Sequence, residues 1–377
     1  MLFRSKMLWF VTLTQDCNFK CRYCGSDENF DIEDLSPFPE NITYDIKKLE
    51  KLKDEKDLIL CFYGGEPLLR IDLIQQIMVL LPNAKFVLQT NASLLNKLPT
   101  ENLNKMDTIL VSVDGDSATT NVNRGKNAYE RAIANAKDAR DRGFTGDMIA
   151  RMTVGDHSDI YRDVNHLLNV EHNGKKLFDH VHWQLDVQWD TPAYSSYKDF
   201  FGWRDNSYNP GVTKLADEFI SSLKNGVILG ITPFLGLIWS YLTGEKYETV
   251  RCSSGWESFN IETNGDITAC PIAPEFRSLG NIATISNVKK VHHAEKVEEP
   301  CDTCDVLNEC GGRCLYCNKT QWWDIEGFKE VCVTVRHLLA QVRERIMPVV
   351  REEIDAGRKT IDDFHYPPYN NTTEIIP

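Results

Sequence analysis

No stretch of this chain is built to be exported or to enter a bilayer. Residues Met1–Cys17 lack the apolar core and small-residue cleavage site of an export signal, which points to a cytoplasmic protein. The longest apolar stretch, Gly226–Leu242, is broken by Thr232 and Pro233 and falls short of the roughly 20 residues that cross a membrane. A buried helix and its lead-in are expected there, and no membrane partner. Basic runs are missing as well. With 42 Lys and Arg against 55 Asp and Glu the formal charge is −13, and no Lys/Arg-rich stripe is offered to phosphates, so nucleic acid is set aside as a partner. Tandem repeats and low-complexity segments are absent too.

Cysteine, in contrast, is plentiful, with twelve in the chain. A reducing cytosol keeps thiols reduced, so twelve cysteines without an export signal read as metal ligands and not as a disulfide framework. Eleven fall into two groups, Cys17–Cys24 and Cys252–Cys332, on either side of a cysteine-poor middle. Cys61 stands alone in the apolar run Leu58–Tyr63 and reads as a small core residue in preference to a catalytic thiol.

From the N-terminus, β-rich runs alternate with helical stretches, the sequence sign of βα units around a parallel sheet. Strands are expected at Leu8–Thr14, Leu58–Tyr63, Lys85–Gln89, Thr108–Val113, Met148–Val154 and His180–Val187, with helices over Asn127–Arg142 and Asp159–Leu168. In βα barrels the chemistry gathers at the C-terminal strand ends. Cys17, Gly64-Gly65-Glu66-Pro67, Thr90-Asn91 and Ser112-Val113-Asp114-Gly115 all follow or end such strands. Four loops therefore point to one mouth.

The expected organisation is α/β, with a partial barrel over 1–187, a linker or lid over 188–250, a cysteine-rich domain over 251–335 and a C-terminal helix and tail over 336–377. The linker is rich in aromatics (Trp189, Tyr194, Tyr197, Phe200, Phe201, Trp203, Tyr208), expected to pack a domain junction. Past Cys332, Val333–Gly357 reads as a helix with Leu338, Leu339, Val342, Ile346 and Val349/Val350 on one face. The tail from His365 is turn-rich and expected to be extended; its Asn371-Thr372-Thr373 sequon goes unused in a cytoplasmic chain.

Cys17-x-x-x-Cys21-x-x-Cys24 gives three soft thiolates on a loop, suited to iron–sulfur or zinc. Zinc would want a fourth Cys or His nearby, and none lies close in sequence. This spacing, with Tyr23 before the last Cys, resembles the radical S-adenosylmethionine (SAM) superfamily. Gly64, Gly65, Glu66 and Pro67 resemble its GGEP motif, which binds the SAM amino group. Thr90, Asn91, Ala92 and Ser93 resemble its TNGT-like turn. Ser112-Val113-Asp114-Gly115 with Asn123-Arg124-Gly125 is similar to the segment in which a Ser and an Arg reach the SAM ribose and carboxylate, although the family's usual His is replaced around Thr119–Asn121. The resemblance implies a partial (βα)6 barrel whose [4Fe–4S] cluster on Cys17, Cys21 and Cys24 binds SAM. It also implies one-electron cleavage of SAM to methionine and a 5′-deoxyadenosyl radical that abstracts a substrate hydrogen.

The second group runs Cys252, Gly265, Cys270, then Cys301-x-x-Cys304, Cys310, Cys314, Cys317 and Cys332, with a hairpin turn at Asn264-Gly265-Asp266. It resembles the SPASM domain pattern C…GxxxxC…CxxCxxxxxCxxxC…C. By that resemblance Cys301, Cys304, Cys310 and Cys332 close an outer auxiliary [4Fe–4S] cluster, and Cys252, Cys270 and Cys314 bind an inner one. Either the inner cluster keeps an open iron or Cys317 completes it; the spacing permits both. A pair of zinc sites is the rival reading of these cysteines. Three low-potential clusters would require handling without oxygen.

SPASM-bearing members mostly modify peptides or proteins, so the resemblance implies a peptide or protein substrate and an oxidative outcome such as a thioether, ether or carbon–carbon crosslink. Epimerisation is a further option. A low-potential donor of flavodoxin or ferredoxin type is implied. Only sixteen residues precede Cys17, so no N-terminal winged-helix leader-binding domain is expected, nor a cobalamin domain. Rivals are a formylglycine-type sulfatase maturase, a small-molecule SPASM enzyme of cofactor biosynthesis, and an electron carrier without SAM chemistry, which Gly64–Pro67 argues against. Asp186, Asp190 and Arg204 are expected near the mouth, with none singled out as base.

Overall fold

The computed structural model describes residues 7–24, 38–186, 200–272, 278–321 and 324–367. Six strands, β1 (Leu8–Thr12), β2 (Ile59–Tyr63), β3 (Lys85–Thr90), β4 (Thr108–Ser112), β5 (Asp147–Val154) and β6 (His180–Leu185), run parallel, each bonded to the next. They are apolar on both faces because both are covered, as parallel sheets require. Trp9, Val11, Leu60, Phe62, Ile109, Met148 and Trp183 join the large core under the helices. Their strand neighbours Leu8, Phe10, Ile59, Cys61, Val87, Leu110 and Ile149 form a separate inner cluster, the floor of the barrel lumen. Cys61 is thus a fully buried inner-wall residue.

The outer helices α1 (Ile71–Leu80), α2 (Ala128–Asp141) and α3 (Ile160–Leu168) are amphipathic. On α2 the buried face is Ala128, Ala132, Ile133, Ala136 and Ala139, mostly small residues at helical spacing that let it lie close to the sheet. Asp159 caps α3 by accepting from the Arg162 N–H.

The sheet does not close on itself. Strand β7 (Ser258–Ile261) pairs in parallel with the free edge of β1, and β8 (Asp266–Thr268) and β9 (Ser278–Asn281) follow antiparallel, giving the order β9-β8-β7-β1-β2-β3-β4-β5-β6. The β7–β8 hairpin turns at Gly265, whose φ of +89° suits glycine. The docking of this hairpin on β1, and β9 itself, leave no periodicity in the sequence because the partners lie far apart along the chain.

Residues read above as a linker or lid are largely helical between Phe200 and Thr243, with α4 (Asn209–Lys224) and α5 (Thr232–Thr243) each carrying a proline in its first turn. The C-terminal helix begins earlier than expected. It runs as α6 (Asp324–Ala340), a wider π-type turn over Gln341–Ile346, and α7 (Met347–Asp355), so Cys332 sits on it and not ahead of it. Its apolar stripe, Val335, Leu338, Leu339, Val342, Ile346 and Val350, packs on α4 and α5. Arg204, expected near the mouth, instead meets Glu330 of α6 at 2.5 Å and Asp205 at 2.7 Å, because the helical turn that carries it faces α6. Of the tail, Phe364 and Tyr366 are buried, and the Tyr366 ring meets His180 edge-on at 5.1 Å, closing the lower end of the barrel. Trp189, Asp190, Tyr194, Tyr197 and the sequon at Asn371 lie outside the described residues. Among the described residues, no helix is long and apolar enough to cross a membrane.

Candidate active site

The loop after β1 is fixed by the end of β2. Gly65 N–H donates to Thr14 O at 3.0 Å and Glu66 N–H to Asp16 O at 2.9 Å. This approach needs two glycines: a Cβ at Gly64 would lie 2.3 Å from Thr14 O, and one at Gly65 would lie 2.2 Å from Asp16 O. The pair thus clamps the strand just ahead of Cys17. Cys17, Cys21 and Cys24 are all partly exposed on the following loop. Burial pushes the Cys17 thiol up to about 11 and the Cys21 thiol up to about 12, so both are neutral in the metal-free chain and give up protons when metal binds.

Glu66 is buried with no cationic partner among the described residues, and burial lifts its carboxyl to about 7. Oε1 accepts from Leu68 N–H at 2.9 Å and Thr90 Oγ1 at 2.7 Å, and Oε2 from Asn91 N–H at 2.8 Å. The GGEP-like and TNGT-like loops are therefore joined through this one carboxylate. Asn91 also reaches the first cysteine, its Nδ2 lying 3.9 Å from Cys17 Sγ. A ligand ammonium would supply the positive charge that the pocket lacks. Glu66→Ala is expected to lower SAM affinity by roughly ten- to a hundredfold, the scale of a charged hydrogen bond. Equilibrium dialysis checks this, and unaltered affinity would reject the role.

The sequence placed Asp114 in the strand-end segment Ser112–Gly115 without giving it a role of its own. In the fold it is a fully buried hub: it accepts from Tyr23 OH at 2.8 Å, Asn123 Nδ2 at 3.1 Å, Thr153 N–H at 2.9 Å and, bidentately, Arg124 Nε and Nη2 at 2.9 and 2.7 Å. Tyr23 and Arg124 thereby brace the cysteine loop against β4 and β5, and the Nε–Nη2 edge of Arg124 is engaged on Asp114. Ser112, at the end of β4, stands partly exposed beside Arg151 of β5.

The second cysteine group forms two sets. Cys301, Cys304, Cys310 and Cys332 line one cavity of about 490 Å³ together with Phe328, Arg313 and Arg336. Four thiols on one cavity, from two loops and α6, suit a four-thiolate cluster. The other set gathers behind β8: Cys270 is buried with Cys252 and Cys314 as its electrostatic neighbours. Cys314 caps and Cys317 lies in one short helix, Leu315–Thr320, at a spacing that puts both on the same face, and each thiol acts on the titration of the other. Arg313 lies between the sets, against Cys314, Cys317 and Cys332. Among the described residues no three His, Cys, Asp or Glu side chains converge on a single ion. Thiolates that each take a different iron of one cluster do not need to.

The two cysteine regions share a neighbour. Tyr63, at the end of β2 and partly exposed to the lumen, has both Cys24 and Cys270 among the groups that act on it.

The radical SAM superfamily model matches residues 11–169, the barrel with the cysteine loop and the glycine clamp. The chain carries a radical SAM domain over those residues. Among its relatives is the radical SAM cyclopropyl synthase TigE of Paramaledivibacter caminithermalis, 22% identical over 384 residues, spanning 92% of this chain and 76% of that protein. Among solved structures, anSMEcpe with bound AdoMet and a Cp18Cys peptide superposes with a TM-score of 0.71 at 17% identity, covering 92% of this chain and 99% of that one. Streptococcus suis SuiB bound to precursor peptide SuiA gives 0.56 at 18% identity, covering 82% and 72%. For a radical SAM enzyme, the [4Fe–4S] cluster and SAM supply a carbon radical able to take a hydrogen atom; the side chains described here hold, orient and shield.

Glu262 ties the two halves together. At the end of β7 it accepts from Gln15 at 3.3 Å, just ahead of the cysteine loop, and from Asn260 at 2.5 Å. Burial raises it from 4.5 to about 7. A raised carboxyl favours the folded state fully below its unfolded pKa, and that contribution fades as pH rises through the folded value. Glu66 acts with the same sign. The urea midpoint of the metal-free chain should therefore fall between about pH 5 and pH 8, less steeply in Glu262→Gln. Superimposable profiles for the two proteins would contradict this reading.

Proposed function

We propose that this radical SAM enzyme oxidises a peptide or protein substrate, with Cys17, Cys21 and Cys24 holding the SAM-binding cluster and Gly64, Gly65, Glu66, Asn91 and Ser112 contributing to SAM binding, the loop being braced through Tyr23, Asp114 and Arg124. The outer auxiliary cluster takes Cys301, Cys304, Cys310 and Cys332. The inner takes Cys252, Cys270 and Cys314, with Cys317 as fourth thiol, since it shares a helix face with Cys314 and its thiol is electrostatically linked to that of Cys314.

The observation that supports this is that both Cys24 and Cys270 act electrostatically on Tyr63, at the lumen end of β2, so that one lumen near both cysteine regions is the reading adopted. A substrate carbon there can lose a hydrogen atom on one side and its remaining electron on the other. With a proton also released, the substrate is oxidised by two electrons and gains a bond or a carbonyl. The peptides named with the similar anSMEcpe and SuiB structures support a polypeptide as substrate. The reducing electron for SAM is assigned to a flavodoxin- or ferredoxin-type donor.

The test is anaerobic co-expression with short peptides encoded beside the gene, followed by mass spectrometry. The expected product is lighter by two hydrogens. Unmodified peptides alongside active SAM cleavage would overturn the polypeptide assignment. A closed inner cluster favours a second reading, a formylglycine-type maturase, whose product would carry an aldehyde trapped by hydrazides.

A further inference from the structure

Arg151 lies on the inner face of β5, between Ser112 of β4 and His182 of β6 in register. One step below it is the apolar floor of Ile149, Leu110 and Cys61; one step above are Thr153 and Gln184, both partly exposed. Among the described residues no carboxylate pairs with Arg151. Its hydrogen-bond partner is His182 Nδ1, on a fully buried imidazole. An arginine can only donate, so Nδ1 accepts, and the other ring nitrogen faces the Gln184 amide 3.2 Å away. Burial and the nearby guanidinium hold His182 well below the usual histidine range, so it is neutral and brings no compensating charge. The remaining groups acting on Arg151 are Tyr63, Tyr366 and Cys61, all neutral near pH 7, and the cation Arg124.

An uncompensated cation inside a barrel costs several kcal/mol unless an anion joins it. Arg151 is nonetheless partly exposed, so it faces open lumen and is not sealed in the wall. Tyr63, its neighbour, is the same side chain that adjoins Cys24 and Cys270. Arg124, the other guanidinium of the mouth, already has a carboxylate partner, Asp114, held bidentately on its Nε–Nη2 edge.

We propose that Arg151, oriented by His182, is a carboxylate-binding site in the lumen, and that its ligand is an acidic side chain of the peptide substrate. The planar guanidinium offers carboxylate-matched donors on the edge not used by His182. The apolar floor beneath removes water and strengthens the pairing. An acid fixed there holds its neighbouring residue beside Tyr63, between the two cysteine regions. The peptide as carrier rests on the function proposed above; the carboxylate site does not.

The same chemistry could be supplied by the carboxylate of SAM, so the test has two arms, both on cluster-loaded enzyme without oxygen. In the first, Ac-Gly-Asp-Gly-NH2 and Ac-Gly-Asn-Gly-NH2 are titrated into SAM-loaded wild type, Arg151→Lys and Arg151→Met. In the second, SAM is titrated into the same three proteins. The wild type should bind the Asp peptide about tenfold more tightly than its Asn twin. Arg151→Lys should keep part of that preference and Arg151→Met none. A wild type that does not distinguish the peptides overturns the substrate assignment without recourse to any variant. If Arg151→Met then loses SAM affinity, the carboxylate held is that of SAM; if SAM affinity is also unaltered, the site itself is overturned. Peptide modification without a preference for Asp rejects this site and leaves the proposed function standing. A preference for Asp without any peptide modification does the reverse.

Discussion

Replacing Cys17, Cys21 and Cys24 together by alanine is expected to abolish the release of 5′-deoxyadenosine and to remove about a third of roughly twelve irons per chain, the content of three [4Fe–4S] clusters. The loss should be confined to one cluster. The three residues lie on one loop at the mouth of the barrel, whereas the eight thiols of the other two sets sit on separate loops and helices of the C-terminal region. The folded core should survive, because the loop is anchored by Gly64, Gly65 and the Asp114 hub and not by its thiols. Iron and sulfide analysis with chromatography of the nucleoside products provides the measurement. Loss of all iron from a folded triple variant, or zinc in place of iron in the wild type, would reject the assignment.

The second large effect is expected at Cys317. Because Cys317 shares a helix face with Cys314, Cys317→Ser should alter the paramagnetic resonance of one reduced auxiliary cluster and lower the iron content by up to about a third, while leaving the outer set on the 490 Å³ cavity intact. Serine offers a harder oxygen donor in place of a soft thiolate, so a weakened site is expected even where the cluster still assembles. A variant with the wild-type spectrum and full iron would mean that the inner cluster has an open iron, and direct binding of a substrate thiolate or carboxylate would then replace outer-sphere electron transfer.

Much of this was legible before any fold was drawn, and the reasons are local. The CxxxCxxC loop, the glycine pair and the SPASM-like spacing are short-range patterns whose chemistry follows from the residue types themselves. Parallel strands betray themselves as apolar runs, which is why all six barrel strands were found close to their observed limits. The helix at 232–243 was legible as an apolar run led by Pro233. What escaped were long-range facts about side chains in ordinary-looking strands. Arg151 and His182 read as routine strand residues until their register put them face to face in a lumen. Asp114 had no role of its own within Ser112–Gly115, and Glu262 had none either, until burial gave each its set of donors.

The sequence by itself determined the type of chemistry, because thiolate number and spacing decide which metal group a loop can hold. It also determined the barrel, because strand and helix periodicities are written in neighbouring residues. The folded chain was needed to see that β7 docks on β1, that Cys314 and Cys317 share one face, that Arg204 pairs with Glu330 across a helix junction, and that Arg151 has no acid partner among the described residues. Each of these depends on which groups meet across a fold and on how much water is excluded when they do. Burial and charge pairing are properties of that meeting, and no window of neighbouring residues contains them.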